Sequence, residues 1–324
     1  MQRIIFASQL SAFSVPEGAA PASVVITDSA GAEIFRNSYN TSLRFNIYGL
    51  PSVFNRDLRA KCASSGDYAI SVSRPASGDR PPVADERRLT VIHCELWRDA
   101  SIDAEDFLKK NFLLEANEII VPAALASDIP LEIWTEDYES CKITQMWTDD
   151  GRQQSAVISY PVAPGGDTIL LYAAFAREHA PAAAFLECGQ RRAVVKFTAD
   201  GDSPEETRAF TFRNMFNAVE TVWLTGVLSE SPSAQKTTAG VGGVSRVIDI
   251  GDETSYSLQV PGLPLPSAMR ARRMLFSRET TVSHLLDSGN PQPIAVTDVS
   301  GNISDDRSQL CDITIKFSAL SLKP

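Results

Sequence analysis

Residues 23–35 run SVVITDSAGAEIF, and this stretch decides the fold class. Val24, Val25 and Ile26 are β-branched and suit a pleated, half-buried surface. Asp28-Ser-Ala-Gly31 carries tight-turn chemistry, an acceptor side chain followed by a glycine free to adopt positive φ. Ala32-Glu-Ile-Phe35 then starts a second apolar run. Two such runs around an Asp/Ser/Gly turn predict a β-hairpin.

Outward from that hairpin the same pattern recurs. Residues 43–48 (LRFNIY) and 68–73 (YAISVS) alternate apolar with polar, as strands with one buried face do. Residues 75–87, rich in Pro, Gly, Asp and Arg, are expected to form a mobile surface loop, and 88–97 (RLTVIHCELW) return to strand. Strand character continues at 119–121, 131–134, 143–147, 157–162 and 168–175, with Pro164-Gly-Gly166 as a connecting turn. It resumes at 192–198, 208–212, 220–226, 293–297 and 312–317. Residues 229–243, dense in Ser, Thr, Ala and Gly, are expected to be a flexible hairpin tip. Helix is a minority. Residues 101–110 (SIDAEDFLKK) place acids in a first turn and lysines in a last one, matching the helix dipole. Ser267 can cap a short amphipathic helix to about Phe276.

These patterns predict an all-β chain of two or three β-sandwich- or barrel-like domains with one or two short helices. The boundaries expected are 1–110 for an N-terminal β domain, 111–200 for a central one, and 201–324 for a C-terminal one with its helix near 267–276. Residues 199–206 (ADGDSPEE) mark the second boundary, whereas 88–113 could pair with either of the first two domains.

A length of 324 residues suits two or three cores, and 44% hydrophobic with 22% charged residues is a globular balance. The formal charge of −10 opposes a phosphate backbone, which argues against nucleic acid as a partner. The basic cluster Arg270, Arg272, Arg273 and Arg278 is expected to be a solvated helix face. No apolar run approaches the ~20 residues of a membrane helix. The opening MQRIIFASQL lacks the apolar core of a signal peptide, so the protein is expected to be made and kept in the cytoplasm, or released by a route other than secretion. Cys62, Cys94, Cys141, Cys188 and Cys311 are odd in number and form no CxxC pair, which favours buried free thiols.

No motif for chemistry emerges. His93, His179 and His284 are isolated, without the spacing of zinc ligands. Serine-hydrolase and nucleotide-loop signatures are absent. The adjacent acids Asp149-Asp150, Glu205-Glu206 and Asp305-Asp306 cannot converge on one bond if they lie in strands, where neighbours face opposite ways. Asp298, Asn302, Asp305 and Asp306 gather hard oxygen ligands but fail the EF-hand spacing. Trp97, Trp134, Trp147 and Trp223 could stack on sugars, though strand positions favour the core. The expectation is no catalytic, cofactor-binding or metal site, and no cofactor.

Several segments taken in order resemble an uncharacterised family encoded in prophages of Bacteroidetes-type bacteria. These are residues 25–35 with Tyr39 and 47–50, residues 90–95 (TVIHCE), residues 104–113 (AEDFLKKNFL), and residues 212–226 (FRNMFNAVETVWLTG), the most specific. Residues 294–298 (IAVTD) and the Asp305-Asp306 loop complete the likeness. Residues 229–246 depart from it, being rich in Ala, Gly and Ser where relatives are more charged and aromatic. The resemblance implies a phage tail or tail-tip component, of distal-tail or baseplate-like kind. It thereby implies a non-enzymatic structural protein of a virion tail, made in the bacterial cytoplasm. Its partners would be other tail or baseplate proteins and copies of itself, without nucleic acid or membrane insertion. The alternative is a β module that binds a glycan or another host-surface ligand, and a carbohydrate-active enzyme built on carboxylates is a third reading.

Overall fold

A computed structural model of the chain describes residues 3–76, 82–95, 102–122, 128–172, 182–198, 206–241, 244–283, 290–301, 303 and 310–320. The fold is all-β with a few short helices, and no sheet among the described residues closes into a barrel.

The first sheet has the order β1-β7-β6-β3-β4, from β1 (Arg3–Phe6), β3 (Ala22–Asp28), β4 (Glu33–Tyr39), β6 (Ser65–Arg74) and β7 (Val83–Ile92). A small ribbon of β2 (Ala12–Val15) and β5 (Phe45–Tyr48) accompanies it. The hairpin at 23–35 forms as its residues dictate. Asp28 Oδ1 accepts from the backbone N–H of Ala30 and Ala32, and Gly31 takes φ +81°. Of the loop expected over 75–87, residues 83–87 instead belong to β7, and 77–81 lie outside the described residues. Val83 to Arg87 pair with Arg74 to Ile70 of β6. The charges that argued for a loop point outward there, Arg87 paired to Asp85 and Arg88 to Glu86.

Helix α1 (Leu50–Ala60) is an element that strand patterning hid. Leu50, Phe54 and Leu58 recur four residues apart, form one buried stripe, and pack into the core with Ile26, Tyr68 and Ile70. Gly49 at φ +83° turns the chain into the helix, with proline in the first turn. Helix α2 (Ala104–Lys110) sits where its charges place it, capped by Asp103, whose carboxylate accepts from the N–H of Glu105 and Asp106.

The second sheet has the order β11-β10-β13-β14-β8, from β8 (Glu118–Pro122), β10 (Glu139–Asp149), β11 (Arg152–Val162), β13 (Ala182–Cys188) and β14 (Arg191–Thr198). A two-stranded layer of β9 (Asp128–Thr135) and β12 (Gly165–Tyr172) shares its core, which joins Leu131, Ile133 and Ile169 to Ile143, Leu186 and Val195. Strands β10 and β13 set Cys141 directly opposite Cys188, and the two form a disulfide. This corrects the expectation of free thiols throughout; Cys62, Cys94 and Cys311 remain thiols. Spacing along the chain carries no register, and register is what joins these two.

The third sheet runs β16-β15-β19-β20-β21-β18-β17, from β15 (Thr207–Arg213), β16 (Val219–Thr225), β17 (Val227–Val241), β18 (Val244–Leu263), β19 (Thr280–Val282), β20 (Gln292–Gly301) and β21 (Cys311–Ala319). Helix α3 (Leu265–Met274) lays Ala268, Ala271 and Met274 on a core containing Phe210, Phe212, Leu258, Ile313 and Phe317. Its cap position is Pro264, and Ser267 is buried within the first turn, so the capping role expected of Ser267 is not observed. Of the region expected to be a flexible hairpin tip, residues 229–241 are strand, because fifteen cross-strand pairs carry the ladder from Val227↔Gln259 to Val241↔Val244, while 242 and 243 lie outside the described residues.

Candidate functional site

The turn between β15 and β16 is where the three sheets meet. Asn214 Oδ1 accepts from the N–H of Phe216 and Ala218, and Asn217 sits at φ +59°, a conformation asparagine tolerates. With their backbones held, both side chains reach outward. Asn214 Nδ2 donates to Leu113 O (2.8 Å), and Asn217 Nδ2 donates to Ala63 O (2.9 Å) in the segment that follows α1. Phe216 enters an aromatic cluster with Phe6 (6.1 Å) and Phe107 (5.6 Å). The backbone N–H of Val219 donates to Glu132 Oε1 at 2.9 Å. Residues 212–226, singled out in the sequence as the most specific motif, are therefore the hub of the molecule.

Beside the hub lies the ion pair of Glu220 and Arg270, both buried, with Oε1 and Nε 3.7 Å apart. Arg270 also donates to the carbonyls of Ala116 and Glu118, and Glu220 Oε1 accepts from the Glu115 N–H at 2.8 Å. Arg273 pairs with both oxygens of Glu115, at 2.7 and 2.9 Å. Burial pushes the Glu220 carboxyl up, while Arg270 draws it down. The solvated helix face expected of this basic cluster is thus corrected: Arg270 and Arg273 clamp α3 to the segment before β8.

A cavity of about 210 Å³ opens on the same junction, lined among others by Arg59, His93, Glu95, Arg213, Arg278 and Glu279. His93, expected inside a strand, stands just past the end of β7 and is buried. Its Nδ1 lies 3.1 Å from Met215 O, and its Nε2 has no hydrogen-bond partner among the described residues. Burial holds the imidazole below its usual range. These cavity residues lie far apart in sequence, and no spacing announces them.

The remaining candidates do not converge. Trp134 and Trp223 are buried and Trp147 is half-buried. Asp149 and Asp150 are exposed at the β10–β11 turn, Glu206 is exposed, and Asp298 lies on β20 with Lys316 3.8 Å away. Trp97, His179, His284, Glu205, Asn302, Asp305, Asp306 and the expected boundary at 199–205 lie outside the described residues. Among those described, no group of three or more His, Cys, Asp or Glu is placed to hold a metal ion. No helix among them is long and apolar enough to cross a membrane.

The β17–β18 hairpin is the other conspicuous feature. Strand β18 pairs with β21 only from Ser255 to Leu263, yet its ladder with β17 continues from Pro232↔Thr254 to Val241↔Val244. The two strands thus run on as a ribbon about 34 Å long, ten residues at about 3.4 Å each. The outer edge of β17 is the edge of its sheet.

No family model matches the chain, and no curated protein matches it. Among solved structures, a chain from the tail of an empty gene transfer agent particle with C6 symmetry is similar over 37% of this chain and 96% of its own length, at 14% identity and a TM-score of 0.26. A chain from the virion of a native gene transfer agent particle is similar over 37% and 95%, at 15% identity and a TM-score of 0.25.

Proposed function

We propose that this chain is a non-enzymatic structural assembly protein of a phage tail or tail-like particle, acting through protein–protein interfaces with copies of itself and with other tail or baseplate proteins. The three sheets would correspond to domains 1–110, 111–200 and 201–324. The observation that carries the reading is the β17–β18 ribbon. A two-stranded ribbon is at best marginally stable in water, and a long unpaired edge invites another strand. An extension of this length is accounted for when a neighbouring chain covers it, by strand addition or by packing. The resemblance of residues 212–226 and the other matched segments to a prophage-encoded family points the same way.

The test is native mass by light scattering over a concentration series. It compares the intact chain with a variant in which Asn-Gly replaces residues 232–254, leaving the Ser231↔Ser255 pair to close the shortened hairpin. The intact chain is expected to form a closed oligomer such as a trimer or hexamer, and the variant a folded monomer. An intact chain that stays strictly monomeric at high concentration overturns self-assembly. An unchanged oligomer in the variant removes the ribbon from the interface.

A further inference from the structure

We propose that the junction cavity is a binding site for an oxyanion, a phosphoryl or carboxylate group, seated on Arg278 and closed from below by Arg59 and His93. The proposal does not rest on the tail reading. Charge is the first argument. Three guanidinium groups line the cavity against two carboxylates, and each carboxylate is already engaged. Arg59 Nη1 lies 2.9 Å from Glu95 Oε1, and Arg213 Nε lies 2.8 Å from Glu279 Oε2. Arg278 is exposed and has no ion pair among the described residues, so one positive charge is left for a ligand.

The second argument is His93, only 2% exposed. Its Nδ1 carries a proton toward Met215 O, which leaves Nε2 bare, buried and without a hydrogen bond among the described residues. The nearest carboxylate oxygen is Glu95 Oε1, 3.8 Å away. A buried polar atom without a partner is costly, and such atoms recur where a ligand or proton completes a site. Burial first, and then the fields of Arg59 and Arg278, hold this imidazole below its usual range, although the bond to Met215 O and the field of Glu95 pull the other way. An arriving oxyanion offsets both guanidinium fields. Nε2 then takes up a proton and donates to the ligand, a charge-assisted bond in a site sheltered from water. Binding and proton uptake are therefore linked, and affinity rises as pH falls.

The test uses the full chain, thermal shift at constant ionic strength, and two probes whose charge is fixed between pH 6 and 8. Sulfate stands in for a phosphoryl group and acetate for a carboxylate. A saturable rise in Tm is expected for at least one, and which one identifies the source of the oxyanion. Arg278→Gln, at an exposed position that folding does not need, should weaken that affinity by about tenfold or more, as loss of a charged hydrogen bond does. Affinity in the native chain should tighten by up to about tenfold per pH unit lowered, and this slope should vanish in His93→Gln. An equal Tm rise in the native chain and Arg278→Gln, or no saturation with either probe, overturns the site. A saturable response with no pH slope removes His93 from it.

Discussion

Arg270 shows how little a residue's type says about its place. Its neighbour Arg272 belongs to the same basic run and is exposed, while Arg270 is buried against Glu220 and the carbonyls of Ala116 and of Glu118 at the start of β8. Removing one member of a buried pair strands the other without solvent, at about 3–5 kcal/mol. Arg270→Ala should therefore lower unfolding free energy by that amount in chemical denaturation, and Arg272→Ala should change it by no more than about 0.5 kcal/mol. Equal losses from the two would show that the clamp at Glu220 does not form. Nothing local separates these arginines, because the deciding acceptors lie 152 and 154 positions away in the chain. Periodicity places α3; only the tertiary partner decides which of its faces is dry.

Elements were legible where local chemistry and tertiary environment agree. The 23–35 hairpin and the Asp103-capped α2 carry their own turn and cap residues. Helix α1 was missed because its stripe is short and it lies between strands, although Leu50, Phe54 and Leu58 did repeat at helical spacing. The Cys141–Cys188 bridge was invisible because it depends on how β10 meets β13. It predicts three titratable thiols in the denatured, unreduced chain, Cys62, Cys94 and Cys311, and five after reduction. With 47 positions between its ends, the bridge constrains a long stretch of unfolded chain and should contribute about 2–4 kcal/mol. Replacing both cysteines by Ala should cost that much in denaturant unfolding. Five thiols before reduction would mean that the two strands hold without the bond.

At the scale of the whole molecule, the all-β class was plain from alternation and turns, but the hub was not. Residues 212–226 stood out in the sequence, yet nothing in them says that Asn214, Phe216, Asn217 and Glu220 reach β1, the segment after α1 and the segment before β8. Their backbone is a local turn and the start of β16, while their partners are contributed by Phe6, Ala63, Phe107, Leu113 and Glu115. Glu132 reports on how firmly this hub closes. Its carboxylate accepts from the Val219 N–H, but burial outweighs that bond and the field of Arg213, and pushes its pKa up. Between the ordinary carboxylate pKa and the raised one, the folded state holds a proton that the unfolded chain has released. Its contribution is therefore fully present at low pH and lost as pH rises through the folded value. Other groups titrate in the same range, so the clean quantity is the difference between the native chain and Glu132→Gln, which stays neutral yet still accepts the Val219 bond. Glu132→Gln should gain stability relative to the native chain from pH 4.5 upward, by about 1.4 kcal/mol for each pH unit by which burial displaces the carboxyl. Calorimetry at several pH values measures this. Because the hub ties the sheets together, the gain should move a single transition. A shift confined to one of several transitions would show the sheets unfolding independently, and a pH-independent difference would place the Glu132 carboxyl in water.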